Sequence, residues 1–453
     1  MSNEVDVVVL GLGPGGEAVA TELAGAGLEV VAIDKHLVGG ECPYYGCVPT
    51  KMMIRAADLV QEGRRISGMA GSSTVTPDWT PVAQRIANEA TDHWDDTVAV
   101  ERLEGAGVRF VRGSGRLAAP RQVEVAGETY TARRGVVLNT GTEPGVPPIP
   151  GLDETPFWTN RDAVQLEQLP GSVIVIGGGA IGAELAQTFT RFGVRVTVLE
   201  VADRILAPEE PEASAVVTAV FGEEGIQVLT GVTIESVEYA DGQFSVDVGG
   251  QVLTADKLLV AAGRRPNLGD IGLETLGLDP DARSLETDDH MRAGEGVWAI
   301  GDITGKGAFT HMSMYQASIA AKAILDADGA PTADYRAVPR VTFTDPEVGS
   351  VGMTEKQARD AGLDVRVGCT DLASSSRGWI HKAGNAGVIK LVEDAGEGVL
   401  VGATAVGPTG GEMLAALTVA VHARVPTSTL ISMIYAYPTF HRAIEDALKD
   451  LAS

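Results

Sequence analysis

Short apolar runs that each stop at a glycine punctuate the chain. Val7–Leu10 is the first, ending in Gly11-Leu12-Gly13-Pro14-Gly15-Gly16 and opening a helical stretch through Leu23. Val173–Ile176 is the second, ending in Gly177-Gly178-Gly179-Ala180-Ile181-Gly182 and opening a helix over Ala183–Phe192. Both apolar runs read as strands. After each comes another strand run, Glu29–Ile33 and Arg195–Leu199, and then an acid, Asp34 and Glu200. The first glycine precedes its acid by the same 23 residues in both halves, Gly11 to Asp34 and Gly177 to Glu200.

This pattern is the dinucleotide-binding βαβ unit, written twice. The first glycine makes a tight turn, the second lets backbone approach a pyrophosphate, and the third allows helix and strand to pack closely. The helix N-terminus attracts the phosphate charge, and the acid accepts a ribose hydroxyl. A lone G-x-G-x-x-G is weak evidence, whereas two with equal spacing and full context are strong; the alternative is a pair of glycine-rich turns without ligand.

Each unit is echoed by a later apolar run closing on a glycine loop, Val136–Leu138 before Asn139-Thr140-Gly141 and Leu258–Ala262 before Gly263-Arg264. Pro144–Pro150 reads as a linker. A further strand, Gly296–Ile300, ends in Gly301-Asp302. From about Val338 the character changes. Strand-like Val388–Val392 and Leu400–Val406 alternate with helical Met413–Ala423 and Phe440–Leu451, a separate α+β domain.

Composition narrows the class. A chain of 453 residues fits two to four domains at ~150 residues each. With 44% hydrophobic residues and 56 glycines, it reads as globular α/β. A formal charge of −26 disfavours nucleic acid and anionic membrane surfaces as partners and serves solubility. No apolar run reaches the ~18 residues a membrane span needs. The chain passes from Met1–Glu4 straight into Val5–Leu10, which leaves no room for a signal or transit peptide. Three cysteines, two of them in one motif, fit a reducing compartment and catalytic use, so the cytoplasm is expected. Cys369 stands alone and is expected to be a packed small side chain.

The paired cysteines lie in Gly39-Gly40-Glu41-Cys42-Pro43-Tyr44-Tyr45-Gly46-Cys47-Val48-Pro49-Thr50-Lys51. The spacing of Cys42 and Cys47 reads as a redox-active disulfide beside a flavin. On a regular helix residues five apart sit roughly 7.5 Å apart along the axis, beyond the ~4.4–6.8 Å usual for bonded Cα atoms. Closure requires a distorted backbone, which Pro43 and Gly46 permit. The alternative is two buried structural thiols.

With these motifs together, the chain resembles the class I pyridine nucleotide–disulfide oxidoreductases, the family of dihydrolipoamide dehydrogenase, glutathione reductase and mercuric reductase. The resemblance runs nearly end to end. Besides the glycine turns and the cysteine motif, it rests on Asn139–Pro144, Ala261–Asn267, Ala299–Gly305 and Thr342–Glu355. It implies an α/β protein with two Rossmann-like domains, for FAD and NAD(P), and a C-terminal α+β dimerisation domain. The expected boundaries are 1–148 for the first part of the FAD domain, 149–267 for NAD(P), 268–335 for the second FAD part, and 336–453 for dimerisation.

The same resemblance implies roles. FAD would lie on Gly11, Gly13, Pro14, Gly15, Gly16, Asp34 and Lys35, with Gly40, Glu41 and Gly115 nearby. Thr140, Gly141, Asp302 and Thr310 would complete that site. NAD would lie on Gly177, Gly179, Ile181, Gly182, Glu200, Gly263 and Arg264. Cys47 would stack on the flavin and Cys42 would attack the substrate. Lys51, paired with Glu184, would stabilise negative charge developing on reduced flavin; the alternative is a surface helix pair. A carboxylate at Glu200 favours NADH over NADPH, and nearby Arg204 would partly reverse this. The expected protein is a homodimeric enzyme with a small-molecule acceptor and no metal ligand set, since His36, His93, His290, His311 and His381 lack the spacing.

One segment departs from the family. Disulfide-reducing members carry His-Pro-Thr-x-x-Glu near the C-terminus, where the histidine shuttles protons for the partner subunit. Here Tyr437-Pro438-Thr439-Phe440-His441-Arg442 occupies that place. A phenol with pKa near ~10 is a poor base at neutral pH, unlike an imidazole near ~6.5. Neither lipoamide nor glutathione-type reduction is therefore assigned from the sequence. Tyr437 also resembles mercuric reductase and soluble transhydrogenase. His441 and Glu445 lie one turn apart, giving either a displaced dyad or an ordinary polar helix face. The chain closes on Leu451-Ala452-Ser453 without thiols, so electrons are expected to leave from Cys42 or from the flavin. Ser374–Lys382, with Arg377, Trp379 and His381, reads as a turn in the interface domain or as a wall for a planar or anionic substrate. The rival readings are a diaphorase acting on quinone, dye or metal ion, and a nucleotide-binding module whose redox state gates a partner.

Overall fold

The computed structural model describes residues 3–325 and 329–451. Met1 and the closing Ala452-Ser453, on which the expectations for the two chain ends rest, lie outside them. The chain divides into two compact units. The first comprises residues 1–49, 84–145 and 264–334, and the second 50–83, 146–263 and 335–453. Residues 50–83 thus group with the second unit, and the division falls inside the helix Cys47–Arg64.

In the first unit, among the described residues, the sheet runs Arg292–Gly294, Val297–Ala299, Glu128–Leu138, Asn3–Leu10, Val30–Asp34, Arg109–Arg112. Along this order all neighbours are parallel except the first pair, and two further strands join antiparallel, Gln122–Val125 on Glu128–Leu138 and Arg116–Ala119 on Gln122–Val125. Parallel neighbours need a crossover, and the helix Pro14–Gly25 supplies it between Asn3–Leu10 and Val30–Asp34. Val7, Val8 and Val9 are all fully buried, so both sheet faces are covered, which accounts for their unbroken apolar run. Leu10, Ile33, Val136, Leu138 and Val297 form one side of that core.

The second unit holds a parallel sheet in the order Gln227–Thr230, Arg195–Glu200, Ser172–Ile176, Lys257–Val260. The run Leu258–Val260 echoes Val136–Leu138 here in space as in sequence, each lying parallel beside the strand that opens its unit. Ile174, Ile176 and Leu199 bury against Val237, Phe244 and Val246 of an antiparallel three-strand sheet. The C-terminal part is an antiparallel sheet, Pro339–Thr342, Glu347–Gly352, Val399–Gly407, Val388–Asp394, Val365–Asp371. Helices Gly410–His422 and Ala443–Leu451 cover it with Leu414, Leu417, Ile444 and Leu448.

The helix expected over Phe440–Leu451 is broken. Phe440–Arg442 forms a single tighter turn before Ala443–Leu451 begins. Thr439 does not cap it by side chain; its hydroxyl donates to Ala436 O at 2.7 Å. Among the described residues no helix is long and apolar enough to cross a membrane.

Candidate active site

Gly11 ends the first strand at φ +95°, and a Cβ there would overlap the Asn139 carbonyl. A Cβ at Gly16 would overlap the Gly11 carbonyl oxygen, so strand end and helix start touch through glycine alone. Gly13 caps the helix at φ −68°, with Pro14 following as its first residue. Nothing inside the first unit requires glycine at Gly13, since its Cβ would come no nearer than 3.5 Å to Asn139 Nδ2. Asp34 braces the turn: its carboxylate accepts the N–H of Leu12 at 2.6 Å and of His36 at 2.7 Å.

The second turn repeats this arrangement. Gly177 has φ +107°, and Cβ atoms at Gly177 and Gly182 would overlap the Ala261 and Gly177 carbonyls. Gly179 caps the helix Ala180–Arg191 at φ −71°, and its Cβ would meet nothing within 4 Å. Glu200 accepts the N–H of Gly178 and of Ala202 at 2.7 and 2.8 Å. Each carboxylate oxygen keeps a further lone pair for a hydroxyl. Two helix N-termini, each capped by a glycine the fold itself leaves open, fit two dinucleotide pyrophosphates. Arg204 is folded back onto Asp203 (3.0 Å) and the carbonyl of Ala207 (2.8 Å). Ile181 is half-buried in the helix's first turn, and Gly263 has φ +124° with open space around it.

Around the first turn, Thr142 Oγ1 donates to Asp302 at 2.7 Å and accepts from Arg264 Nε at 2.6 Å. Arg264 also pairs with Glu41 at 3.4 Å. The guanidinium expected at the NAD turn is therefore engaged with Glu41 and Thr142, in the group expected to hold FAD. Thr140 Oγ1 donates to Asn267 O, and Asn267 N donates to Gly141 O. Gly115 is buried where a Cβ would press on Leu10 and Ile33. Gly40 has φ +67° and caps the short helix that begins at Glu41, while Lys35 is exposed.

Cys42 is half-buried and Cys47 exposed. Cys47 Sγ lies 3.5 Å from Thr310 Oγ1, at the first residue of the helix Thr310–Ile324. Cys47 also opens its own helix, and Lys51 follows one turn later. Lys51 Nζ pairs with Glu184 at 2.8 Å and sits 4.6 Å from the centre of the Phe343 ring. Glu184 is buried, and its second oxygen accepts Phe343 N–H at 2.8 Å. The pair is thus half-buried, with Glu184 inside and Lys51 partly open to solvent, and is held from a third segment.

The C-terminal segment is built differently. Tyr437 is 68% exposed, with the Arg442 guanidinium 5.6 Å from its ring centre. Glu445 is taken by Arg442 (2.9 Å) and Lys449 (2.7 Å), and the Lys449 hydrogen bond holds its carboxyl below the ordinary range. His441 lies beside the Tyr435 ring instead, which disfavours a His441–Glu445 dyad. Ser376–His381 is a short helix with Trp379 76% exposed. His381 packs edge-on against Phe440, and burial lowers its pKa. Cys369 is exposed on Val365–Asp371, not the packed residue expected from its isolation.

The model of the pyridine nucleotide-disulphide oxidoreductases matches residues 5–321, and that of the same family's dimerisation domain matches residues 338–448. The chain belongs to this family. It is 34% identical to a dihydrolipoyl dehydrogenase of Thermus scotoductus, over 98% of this chain and 97% of that one. It is 33% identical to a mercuric reductase of Acidithiobacillus ferrooxidans, over 96% of this chain and 80% of that one. A solved Cu(II) complex of the HOCl-induced flavoprotein disulfide reductase RclA from Escherichia coli superposes with TM-score 0.85 at 26% identity, covering 99% of both chains.

Within this family frame, motif reading alone passed over two side chains. Asn139 sits between Gly16 N, Ser313 Oγ and Ile300 O; with its oxygen toward Gly16 N–H (2.9 Å) the amide satisfies all three. Its place at the end of an apolar run beside a glycine was the available signal. Arg191 is almost fully buried in a helix whose other charged site residue is Glu184. A lone arginine there reads from sequence as a helix-end charge.

Proposed function

We propose that this protein is a homodimeric, cytoplasmic, FAD-dependent reductase that oxidises NADH and reduces a small-molecule acceptor through a Cys42–Cys47 disulfide. The observation that carries this reading is the coexistence of two complete dinucleotide turns with a helix that begins on Cys47 and bears Lys51 one turn later. Gly11–Gly16, Asp34, Thr140, Gly141 and Asp302 would hold FAD. Gly177–Gly182 and Glu200 would hold the nicotinamide nucleotide. Glu200 repels a 2′-phosphate, while Arg204 is turned toward Asp203 and the carbonyl of Ala207.

When bound, FAD supplies the two-electron chemistry that links NADH oxidation to reduction of the disulfide. Lys51, paired with Glu184, would stabilise negative charge arising next to it. Cys42 as thiolate would then attack one sulfur of a disulfide acceptor. The new bond joins Cys42 Sγ to that sulfur, and the other leaves as a thiolate that takes up a proton. Cys47 attacks the mixed disulfide next, re-forming the Cys42–Cys47 bond and releasing the second thiol. The phenol of Tyr437 stands where the disulfide-reducing members carry a histidine, and phenols are poor bases at neutral pH, so acceptors whose leaving thiol is already acidic are favoured.

That same tyrosine supports a second reading, reduction of a metal ion. A bound ion needs no proton on its leaving group, and two of the similar proteins are a mercuric reductase and a reductase crystallised with Cu(II).

An anaerobic NADH titration of the FAD-loaded protein, followed by absorbance, tests the proposal. Uptake of reducing equivalents with a long-wavelength thiolate–flavin band, lost in Cys47→Ser, is the expected result. Bleaching of the flavin without that band would make the cysteines bystanders and turn the search to direct flavin oxidants. Repeating the titration with NADPH checks the nucleotide choice.

A further inference from the structure

Lys51–Glu184 is not the only charged link between its two helices. Arg191 Nη1 donates to Asp58 at 2.6 Å. Both links span the same 133 residues of sequence, and each member of the second lies seven positions beyond its counterpart in the first. Residues seven apart occupy one helix face, two turns and about 10.5 Å apart. Helices Cys47–Arg64 and Ala180–Arg191 therefore run side by side, joined by two rungs of opposite polarity: lysine to glutamate, then aspartate to arginine.

A third segment locks both rungs. Phe343 N–H donates to Glu184, and the Phe343 ring lies under Lys51. Gln187, between the rungs, exchanges two hydrogen bonds with the backbone of Asp345, each 2.8 Å. The Asp345 side chain reaches Arg191 at 2.7 Å and Arg65 at 2.8 Å. Glu224 of Pro211–Glu224 takes the rest of the Arg191 fork at 2.7 and 3.0 Å. Arg64 donates to the Arg191 carbonyl, closing the end of the second rung.

We infer that the Asp58–Arg191 rung sets the register of these two helices and so fixes Lys51 Nζ against Glu184, making Asp58 and Arg191 positioning residues for that pair. The inference rests on the reading of Lys51 given above. Asp58 faces Arg191, Asp345 and the half-buried Glu347 across the interface and Arg55 on its own helix. Burial outweighs the pull of Arg191 and pushes its carboxyl up to about 6. A charge held at a cost in stability fits a role in setting geometry.

The test uses FAD-loaded wild type, Asp58→Asn, Arg191→Lys and Glu184→Gln. Two quantities are read: the rate of Lys51 acylation by mass spectrometry, and the midpoint potential of bound FAD between pH 5 and 8. Arg191→Lys keeps the charge but cannot span three carboxylates, and it stands in if Asp58→Asn loses the fold. Asp58→Asn should raise Lys51 acylation several-fold and shift the potential in the same direction as Glu184→Gln. In wild type the potential should show an inflection near pH 6 that Asp58→Asn lacks. If Glu184→Gln moves both readouts while Asp58→Asn and Arg191→Lys move neither, the rung does not position Lys51 and the inference is overturned. If Glu184→Gln changes acylation but not the potential, the reading of Lys51 beside the flavin fails, while the rung stands on acylation alone.

Discussion

The two glycines of the second turn separate folding from binding, and substituting them one at a time makes that separation measurable. Gly182→Ala places a methyl against the Gly177 carbonyl oxygen, a backbone atom with nowhere to go. Overpacking of this kind costs about 1–3 kcal/mol, and helix and strand must part to relieve it. If that displacement is felt wholly at the nucleotide, affinity falls by about 5- to 150-fold, at 1.4 kcal/mol per tenfold. Gly179→Ala has no such clash, because nothing lies within 4 Å of its Cβ and its φ of −71° suits alanine. It should leave the unfolding midpoint unchanged or slightly raised, since alanine restricts the unfolded chain more than glycine. Yet it should weaken NADH, because a methyl would stand where a pyrophosphate approaches the helix N-terminus. The assay is thermal unfolding of each FAD-loaded variant beside the KM for NADH, with bound flavin counted by absorbance. The expected pattern is lower stability and raised KM for Gly182→Ala, unchanged stability and raised KM for Gly179→Ala, and full flavin in both. A Gly179→Ala protein with wild-type KM would refute the assignment of this turn to the nicotinamide nucleotide.

Two further outcomes follow from the geometry. Asn139→Ala leaves the Gly16 N–H without its side-chain acceptor. At about 1–3 kcal/mol for an unsatisfied buried group, the variant should purify with depleted FAD but an unchanged KM for NADH in the fraction that retains it. Full flavin content would show that Asn139 is dispensable. Asp58 makes the pH dependence directional. Its folded pKa of about 6 lies above the ordinary 3.8, so between those values the folded chain holds a proton that the unfolded chain has lost. Its contribution to stability is present below about pH 4 and is lost as pH rises through 6. Urea midpoints of wild type relative to Asp58→Asn should therefore fall from pH 4 to 6.5 and stay level above 7; a relative midpoint that climbs over this range would overturn the burial argument.

How much of this was legible in the sequence depended on whether a residue's reason is local. Gly11, Gly16, Gly177 and Gly182 declare themselves because the turn that needs them is written around them, and equal spacing to Asp34 and Glu200 confirms the pairing. Lys51 and Glu184 were legible one step further out, through a resemblance that assigned each to a motif. Arg264 follows the loop of the second unit's sheet in sequence, yet its guanidinium engages Thr142 and Glu41, a placement that its neighbours in the chain do not announce. His441 and Glu445 look like a dyad at helical spacing, but Phe440–Arg442 is a separate tight turn. Arg442 and Lys449 reach the carboxylate instead. Asp58 and Arg191 carry no motif at all. Their pairing becomes visible only once two helices far apart in sequence are laid side by side. The first rung then predicts the second: if Lys51 meets Glu184 on parallel helices, residues seven further along each must meet too. An aspartate facing an arginine there is what charge complementarity requires. A search for paired charges at a common offset would have found this rung from the sequence, given only the first contact.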